Sequence, residues 1–370
     1  MAEQDSASAG KDLPAGPLAG IRIVEFGGLG PVPFAGMLLA DMGAEIVRID
    51  RIGGSQFPSQ AVDRGRRIVE IDLKDKASLA SVWQLLDHAD ALIEGFRPGV
   101  MERFGLGPEV ALTRNKRLVY GRMTGWGQTG PLAQTAGRDI NYIAITGALA
   151  AIGGRSGPPL PPLSLVGDYG GGALYLVMGV LAALLSARAT GTGQVIDCAM
   201  VDGAASLMTQ FYEWHGEGLW SERRGENLLD GGAPFYGAYE CADGAFISLA
   251  AMEPRAIAQF CAEFGIADAA LIEDPENWPA LREQVRLAVQ QKTSAQWCER
   301  LEVGDICFAP VLTMADAPRH PHLALRETFI AVNGALRPNV APRFASTPSR
   351  QRASTREHSL GTIVSEWLQR

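Results

Sequence analysis

Three groups of residues in this sequence have types and spacings that could do chemistry. The first is a set of basic side chains, Arg48, Arg51, Arg64, Arg66, Arg67 and Lys74, with Arg97 and Arg103 further on. Several fall at the ends of apolar runs or in the loops after them, where parallel α/β sheets bind ligands. Guanidinium forks hold phosphates bidentately, so the grouping points to a phosphorylated cofactor or substrate. Any single one of these arginines reads equally well as solvated surface charge. The second is Asp168, which follows a Gly/Pro-rich stretch at 153–162 and directly precedes an uncharged, Gly- and Ala-rich run at 169–187. It is either an N-cap or a tuned base or nucleophile, its pKa lowered by the helix dipole and raised by apolar surroundings. The third is Gly125-Trp126-Gly127-Gln128-Thr129-Gly130-Pro131 followed by Gly137-Arg138-Asp139-Ile140-Asn141-Tyr142. Glycine and polar groups at that density suit backbone approaching a ligand, or an ordinary long loop.

Other chemistries are disfavoured. His88, His215, His320, His322 and His358 lie in no motif and read as structural or surface residues. Cys198, Cys241, Cys261, Cys298 and Cys307 are odd in number and form no CxxC pair, which suits reduced, mostly buried thiols of a cytosolic protein; no metal site is expected. In Gly27-Gly28-Leu29-Gly30-Pro31-Val32-Pro33, Pro33 stands where a dinucleotide fingerprint needs its third glycine. The turn therefore reads as a tight strand-to-helix connection without NAD, although Asp50 sits about where a ribose-binding acid would. A net charge of −8 argues against a generic nucleic-acid binder, and 47% hydrophobic against 20% charged residues excludes a disordered chain.

The elements that must position these groups follow from the pattern. Apolar runs at 21–25, 45–49, 67–71, 91–94, 118–123 and 195–197 alternate with helical periodicities at 34–42 and 79–88. Repeated βαβ units imply a doubly wound parallel sheet. Runs at 235–240 and 245–250 flank Cys241-Ala242-Asp243-Gly244 and read as a hairpin, followed by helices at 255–264 and 280–300. The 370 residues thus divide into a loose tail at 1–16 without a signal peptide, a large Rossmann-like domain at 17–222, a small α+β domain at 223–330, and a segment at 331–370 returning to the large domain. The apolar run at 169–187 reads as a buried helix and not a membrane span.

The chain resembles the α-methylacyl-CoA racemases of the family III CoA-transferase superfamily over nearly its full length. Matching stretches include Gly20-Ile21-Arg22-Ile23-Val24-Glu25, Asp41-Met42-Gly43-Ala44, Val47-Arg48-Ile49-Asp50-Arg51, Phe96-Arg97-Pro98-Gly99-Val100 and Thr124-Gly125-Trp126-Gly127-Gln128. Asp139-Ile140-Asn141-Tyr142, Gly167-Asp168-Tyr169-Gly170-Gly171, Gly193-Gln194-Val195-Ile196-Asp197, Asp230-Gly231-Gly232-Ala233-Pro234 and Glu253-Pro254 continue the match. The resemblance implies an interlocked homodimer with its site at the subunit interface, acting on an acyl-CoA thioester without a separate cofactor. It assigns Arg51, Arg103 and the segment with Arg64, Arg66 and Arg67 to the CoA nucleotide, and Gly137, Asp139, Ile140, Asn141 and Tyr142 to the loop beside the thioester.

The reaction implied is inversion at the carbon α to the thioester carbonyl, with an Asp and a His exchanging protons on opposite faces and a Glu supporting the His. Asp168 matches the Asp and Glu253 the Glu, but Arg138 stands at the His position. A guanidinium, with a pKa above about 12, cannot accept a proton at physiological pH. It can pair with Glu253 and stabilise an enolate as a fixed cation. The racemase-like reading is accompanied by two others, a CoA-transferase with Asp168 as nucleophile and a catalytically impaired acyl-CoA-binding homologue.

Overall fold

The computed structural model of the protein describes residues 16–55, 58–302, 304–357 and 359–369. Apart from Gly16, the tail expected at 1–16 lies outside the described residues, as does His358. The chain forms two compact units. One runs to Thr146 and takes in Leu163–Leu207 and Ile330–Arg370; the other comprises Gly147–Pro162 and Met208–Phe329. The Gly/Pro-rich stretch at 153–162 thus falls in the second unit, and the later change of unit comes at 207/208, ahead of the expected 222/223.

The strands are β1 (Arg22–Phe26), β2 (Glu45–Arg51), β3 (Arg66–Ile71), β4 (Ala91–Glu94), β5 (Val119–Thr124), β6 (Val195–Ala199), β7 (Tyr236–Glu240), β8 (Phe246–Ala250), β9 (Phe308–Val311), β10 (Phe329–Val332), β11 (Ala335–Pro338) and β12 (Thr355–Glu357). In the first unit seven of them form one sheet in the order β12-β3-β2-β1-β4-β5-β6, every pairing parallel. Helices cover both faces, which is why the strands read as continuous apolar runs; β4 and β5 are buried at every position. On one face Leu39 of the helix Pro31–Asp41 and Leu176 and Val180 of the helix Leu174–Thr190 share a core with Ile46 and Ile93 of the sheet. On the other, Leu85 of Lys76–Leu86 and Ile363 and Trp367 of the terminal helix Leu360–Leu368 share a core with Val24 and Val47 of the sheet.

The apolar run at 169–187 belongs to a helical stretch, Leu165–Thr190, long and apolar enough to cross a membrane. Leu176, Val180, Leu184 and Ala187 are buried in the first unit, while Leu174, Met178 and Leu185 on the other side are exposed.

In the second unit β7 and β8 form the expected antiparallel hairpin, and β9 extends it along β8. The helix expected at 280–300 is two, Trp278–Val289 and Ser294–Leu301. A reciprocal cap starts the second: Gln296 N–H donates to Thr293 Oγ1 at 3.3 Å, and Thr293 N–H to Gln296 Oε1 at 2.9 Å. Phe260, Val285, Trp297 and Ile247 share this unit's own core.

Candidate active site

The strand order reverses between β1 and β4, so the chains leaving these two strands diverge and open a crevice at their C-terminal ends. Two cavities occupy it, of about 510 and 350 Å³, and Gly28, Leu29 and Phe96 line both. Arg48, Asp50, Arg51, Lys74 and Phe104 line the larger. The smaller is lined by Arg97, Trp126, Gly137, Arg138, Tyr142 and Asp168. The crevice therefore runs from a basic groove to a carboxylate.

Asp168 is not an N-cap. It lies within a π-helical stretch, Leu165–Ala173, that continues into Leu174–Thr190. Four glycines at 167 and 170–172 make the wide turn possible. At Gly171 the stretch meets the helix Met200–Leu207 backbone to backbone: a Cβ on Gly171 would lie 2.6 Å from Ala204 N, and one on Gly203, across the contact, only 1.8 Å from Gly171 O. Across the crevice Gly30, at φ 66°, lies so near Asp168 that an added Cβ would sit 2.7 Å from its Oδ2.

Asp139, buried at the start of helix Asp139–Ala144, accepts the Asp168 backbone N–H on Oδ1 at 2.7 Å. Its Oδ2 is buried with no hydrogen-bond partner among the described residues. Desolvation, then the neighbouring Asp139 charge, push the Asp168 carboxyl up to about 6, against the opposing pull of Arg138 and a hydrogen bond with Ser164. A carboxyl so tuned takes up and releases protons close to neutrality.

Arg138 stands exposed in the smaller cavity. Its Nη1 donates to Gly137 O at 3.0 Å, and its backbone N–H donates to Asn141 Oδ1 at 3.0 Å, closing the first turn of the helix. Tyr142 is buried, edge-on to Trp126 at 4.8 Å, and its ring fits because Gly125 and Gly137 present no side chain to it. Burial raises its hydroxyl pKa, Arg138 and Arg97 lower it, and Asp168 and Asp139 raise it. Arg138, Asp139, Tyr142 and Asp168 are thus brought together. Ile140 and Asn141 do not line the cavity; Ile140 is exposed and Asn141 serves as the cap.

The arginines expected at the nucleotide separate into two kinds. Arg64 is gripped by Asp41 at 2.9 and 2.5 Å, Arg66 by Glu25 at 3.0 Å, and Arg67 by Glu357 at 2.9 Å and Glu366 at 2.5 Å. These pairs tie strands, helix and C-terminal segment together, which leaves the three guanidiniums already engaged by carboxylates where an anion contact was expected at 64–67. Arg48 is likewise buried between Asp50 at 2.8 Å and Asp63 at 2.6 Å. By contrast Arg51 is exposed in the larger cavity, with a contact of 3.5 Å to Gly54 O, and Arg103 is exposed beside Phe104. Sequence spacing cannot separate these kinds, because each partner carboxylate lies 2 to 299 positions away.

Glu253 belongs to the second unit, where it begins helix Pro254–Phe264 and accepts from Cys307 Sγ at 3.8 Å. Lys74, one of the basic residues read from the sequence, lines the larger cavity, and Phe96, which no reading of the residues gave a site role, lines both; its place just after β4 is the signal that marks it. Among the described residues no group of three or more His, Cys, Asp or Glu is placed to hold a metal ion. The four described histidines line neither cavity.

Fold and site define a doubly wound α/β protein with a basic groove and a near-neutral carboxylate at its sheet's switch point. The chain belongs to CoA-transferase family III, whose sequence profile matches residues 18–357. It is 40% identical to the mouse α-methylacyl-CoA racemase over 356 residues, covering 95% of this chain and 92% of that protein. With the human α-methylacyl-CoA racemase the identity is 39% over 335 residues, 90% and 87% of the two chains. A crystal structure from Mycobacterium tuberculosis matches with a TM-score of 0.78 and 26% identity, covering 95% of this chain and 99% of that one.

Proposed function

We propose that the protein is a racemase-like enzyme acting on 2-methylacyl-CoA thioesters, with Asp168 as the group that moves the α-proton. The observation that carries this reading is the raised carboxyl of Asp168 in a cavity sharing a wall with a basic groove. Arg51, Lys74 and Arg103 are the cations left for the phosphates of CoA, and the pantetheine arm would pass Gly28, Leu29 and Phe96 towards Asp168. CoA is part of the substrate and no further cofactor is invoked.

The ionised Asp168 takes the α-proton, the C–H electron pair moves into the thioester carbonyl, and the enolate oxygen gains the negative charge that Asp168 loses. The permanent cation of Arg138, in the same cavity, stabilises that charge. Asp168 then returns a proton to the same face. Inversion needs a donor on the opposite face, and Arg138 holds its protons too tightly to serve. Exchange with retained configuration therefore outpaces inversion in this chain. The exposed apolar row Leu174, Met178 and Leu185 supports a homodimer, and a cytoplasmic setting fits free thiols at all five cysteines.

Arg138 in place of an imidazole also favours a second reading, in which Asp168 attacks the thioester carbon and the C–S bond breaks to give a mixed anhydride and the CoA thiolate; the thiolate attacks the Asp168 carbonyl and frees the donor acid, and the Asp168 thioester then passes CoA to an acceptor carboxylate by the same two steps reversed. Incubation with (2R)- or (2S)-2-methylacyl-CoA in deuterated water decides. Deuterium at C2 supports proton transfer, with the degree of stereochemical loss measuring inversion. CoA moving to an added carboxylic acid without exchange supports transfer. Binding with neither leaves an acyl-CoA-binding homologue.

A further inference from the structure

The segment leaving β4 carries Phe96, common to both cavities, and Arg97, which lines the smaller. It carries glycines at 95 and 99, a proline at 98 and Gly99 at φ 83°, and its middle is shaped by a turn bond from Val100 N–H to Arg97 O at 3.1 Å and by Gln134 Nε2 donating to Pro98 O at 3.1 Å. Its anchor is Glu94, the fully buried last residue of β4. Glu94 Oε2 accepts the Phe96 backbone N–H at 2.7 Å, and Oε1 accepts Arg122 Nε at 3.1 Å. Arg122 is the register partner of Glu94 on β5 and reaches Glu102 at 2.9 Å. Glu102 sits on the short helix Val100–Arg103, next to Arg103. One connected chain, Phe96 to Glu94 to Arg122 to Glu102, thus fastens both ends of the segment to the sheet. Neither Glu94, Arg122 nor Glu102 lines a cavity, so the chain acts on a ligand only through the segment it holds.

We propose that Glu94 is the positioning residue of the crevice: its carboxylate sets the place of Phe96 and, through Arg122 and Glu102, of the arginine-bearing segment 97–103. The inference rests on the reading of the crevice as a CoA-thioester site. Both oxygens accept in the ionised form; a proton turns one of them into a donor and breaks the link to Arg122 or to Phe96. Burial pushes the Glu94 carboxyl up to about 7, with Glu102 adding to the rise and the Phe96 N–H and Arg122 opposing it. The groups facing Glu94 are Arg122 and Tyr120 from β5 and Glu102 from the helix. Tyr120, raised by burial and donating to Leu106 O at 2.9 Å, stays neutral. The segment is therefore fastened above the Glu94 transition and loosened below it.

Glu94→Gln keeps the shape and one acceptor and removes the charge. Calorimetry reads the affinity of CoA itself for wild type and variant from about pH 5.5 to about pH 8.5. Because phosphate groups titrate near 6 as well, the two proteins are compared at each pH. Wild type should bind CoA about tenfold more tightly than the variant at the alkaline end and equally at the acid end. In deuterium exchange on 2-methylbutanoyl-CoA the variant's KM should rise by about tenfold with kcat changed less than about twofold. Coincident pH profiles, or a loss in kcat with KM unchanged, overturn the proposal. If Glu94→Gln does not fold, Glu102→Gln, at the exposed end of the chain, should raise KM and move the transition to lower pH; no change overturns the proposal equally. A pH-dependent difference in CoA binding with no exchange leaves the positioning role standing and removes the proton-transfer reading. Absence of CoA binding to wild type removes both.

Discussion

Arg138→His converts a permanent cation in the cavity into a group able to give and take a proton. Two effects follow. General acid–base help is worth about 10²–10⁴ in rate where geometry is right, so return of a proton from the second face should speed by about a hundredfold if the imidazole occupies the guanidinium's place. Loss of the fixed charge acts the other way on retained exchange. It removes the enolate's cation, and it removes the interaction that lowers the Asp168 carboxyl, which then rises further above about 6. The acid limb of the exchange profile moves to higher pH, because Asp168 must be ionised to act. The fold should not notice: the Arg138 side chain is exposed, and its bonds to Asn141, N–H to Oδ1 at 3.0 Å and O from Asn141 N–H at 2.8 Å, are made by its backbone. The assay follows deuterium at C2 by NMR and the 2R/2S ratio by chiral chromatography on the same samples. The ratio of inversion to exchange should climb by about two orders of magnitude while the melting temperature stays constant. An unchanged ratio refutes the argument that the missing imidazole limits inversion.

Asp168→Ala should abolish both exchange and acyl transfer while leaving CoA affinity within about twofold, since the basic groove is untouched; calorimetry beside the activity assay checks this, and retained turnover removes Asp168 from the mechanism. Asp139→Asn keeps an acceptor for the Asp168 N–H but removes the like charge. The acid limb of exchange should fall by less than about 2 units, because desolvation, the larger cause, remains; a stationary limb in the pH–rate profile contradicts the electrostatic account. Glu94 holds its proton in the folded state up to about 7 against 4.5 as its ordinary value. The folded state binds the extra proton between those values, so stability present below about pH 4.5 declines as pH rises through about 7, by about 3 kcal/mol. Denaturant titrations across that range should flatten in Glu94→Gln.

Much of the sheet was legible because burial on both faces writes itself into composition: 91–94 and the runs beginning at 21, 45 and 118 each fall on a strand within a few residues. What escaped depends on distant partners or on backbone geometry. β12 has three residues, too few for a pattern, and exists because Arg67 and the neighbouring backbone of β3 receive it. Asp168 read as an ordinary helix start since local residues do not distinguish a π turn from an α turn; the close contact with Met200–Leu207 decides it. The arginines at 48, 64, 66 and 67 looked like ligand contacts because a buried ion pair and an anion site call for the same side chain. Arg51 and Tyr142, singled out in the sequence, line the crevice, while the side chains that surround them come from distant stretches that spacing does not connect.

The glycine seam between Leu165–Ala173 and Met200–Leu207 has a practical corollary. The aim of the Asp168 carboxylate depends on missing methyl groups at Gly171 and Gly203, neither of which lines the cavity. A single alanine wedged at 171 or 203 would pry the two coils apart and swing the carboxylate while leaving every lining residue unaltered. Selectivity among thioesters of different bulk can therefore be retuned from the rear of the scaffold.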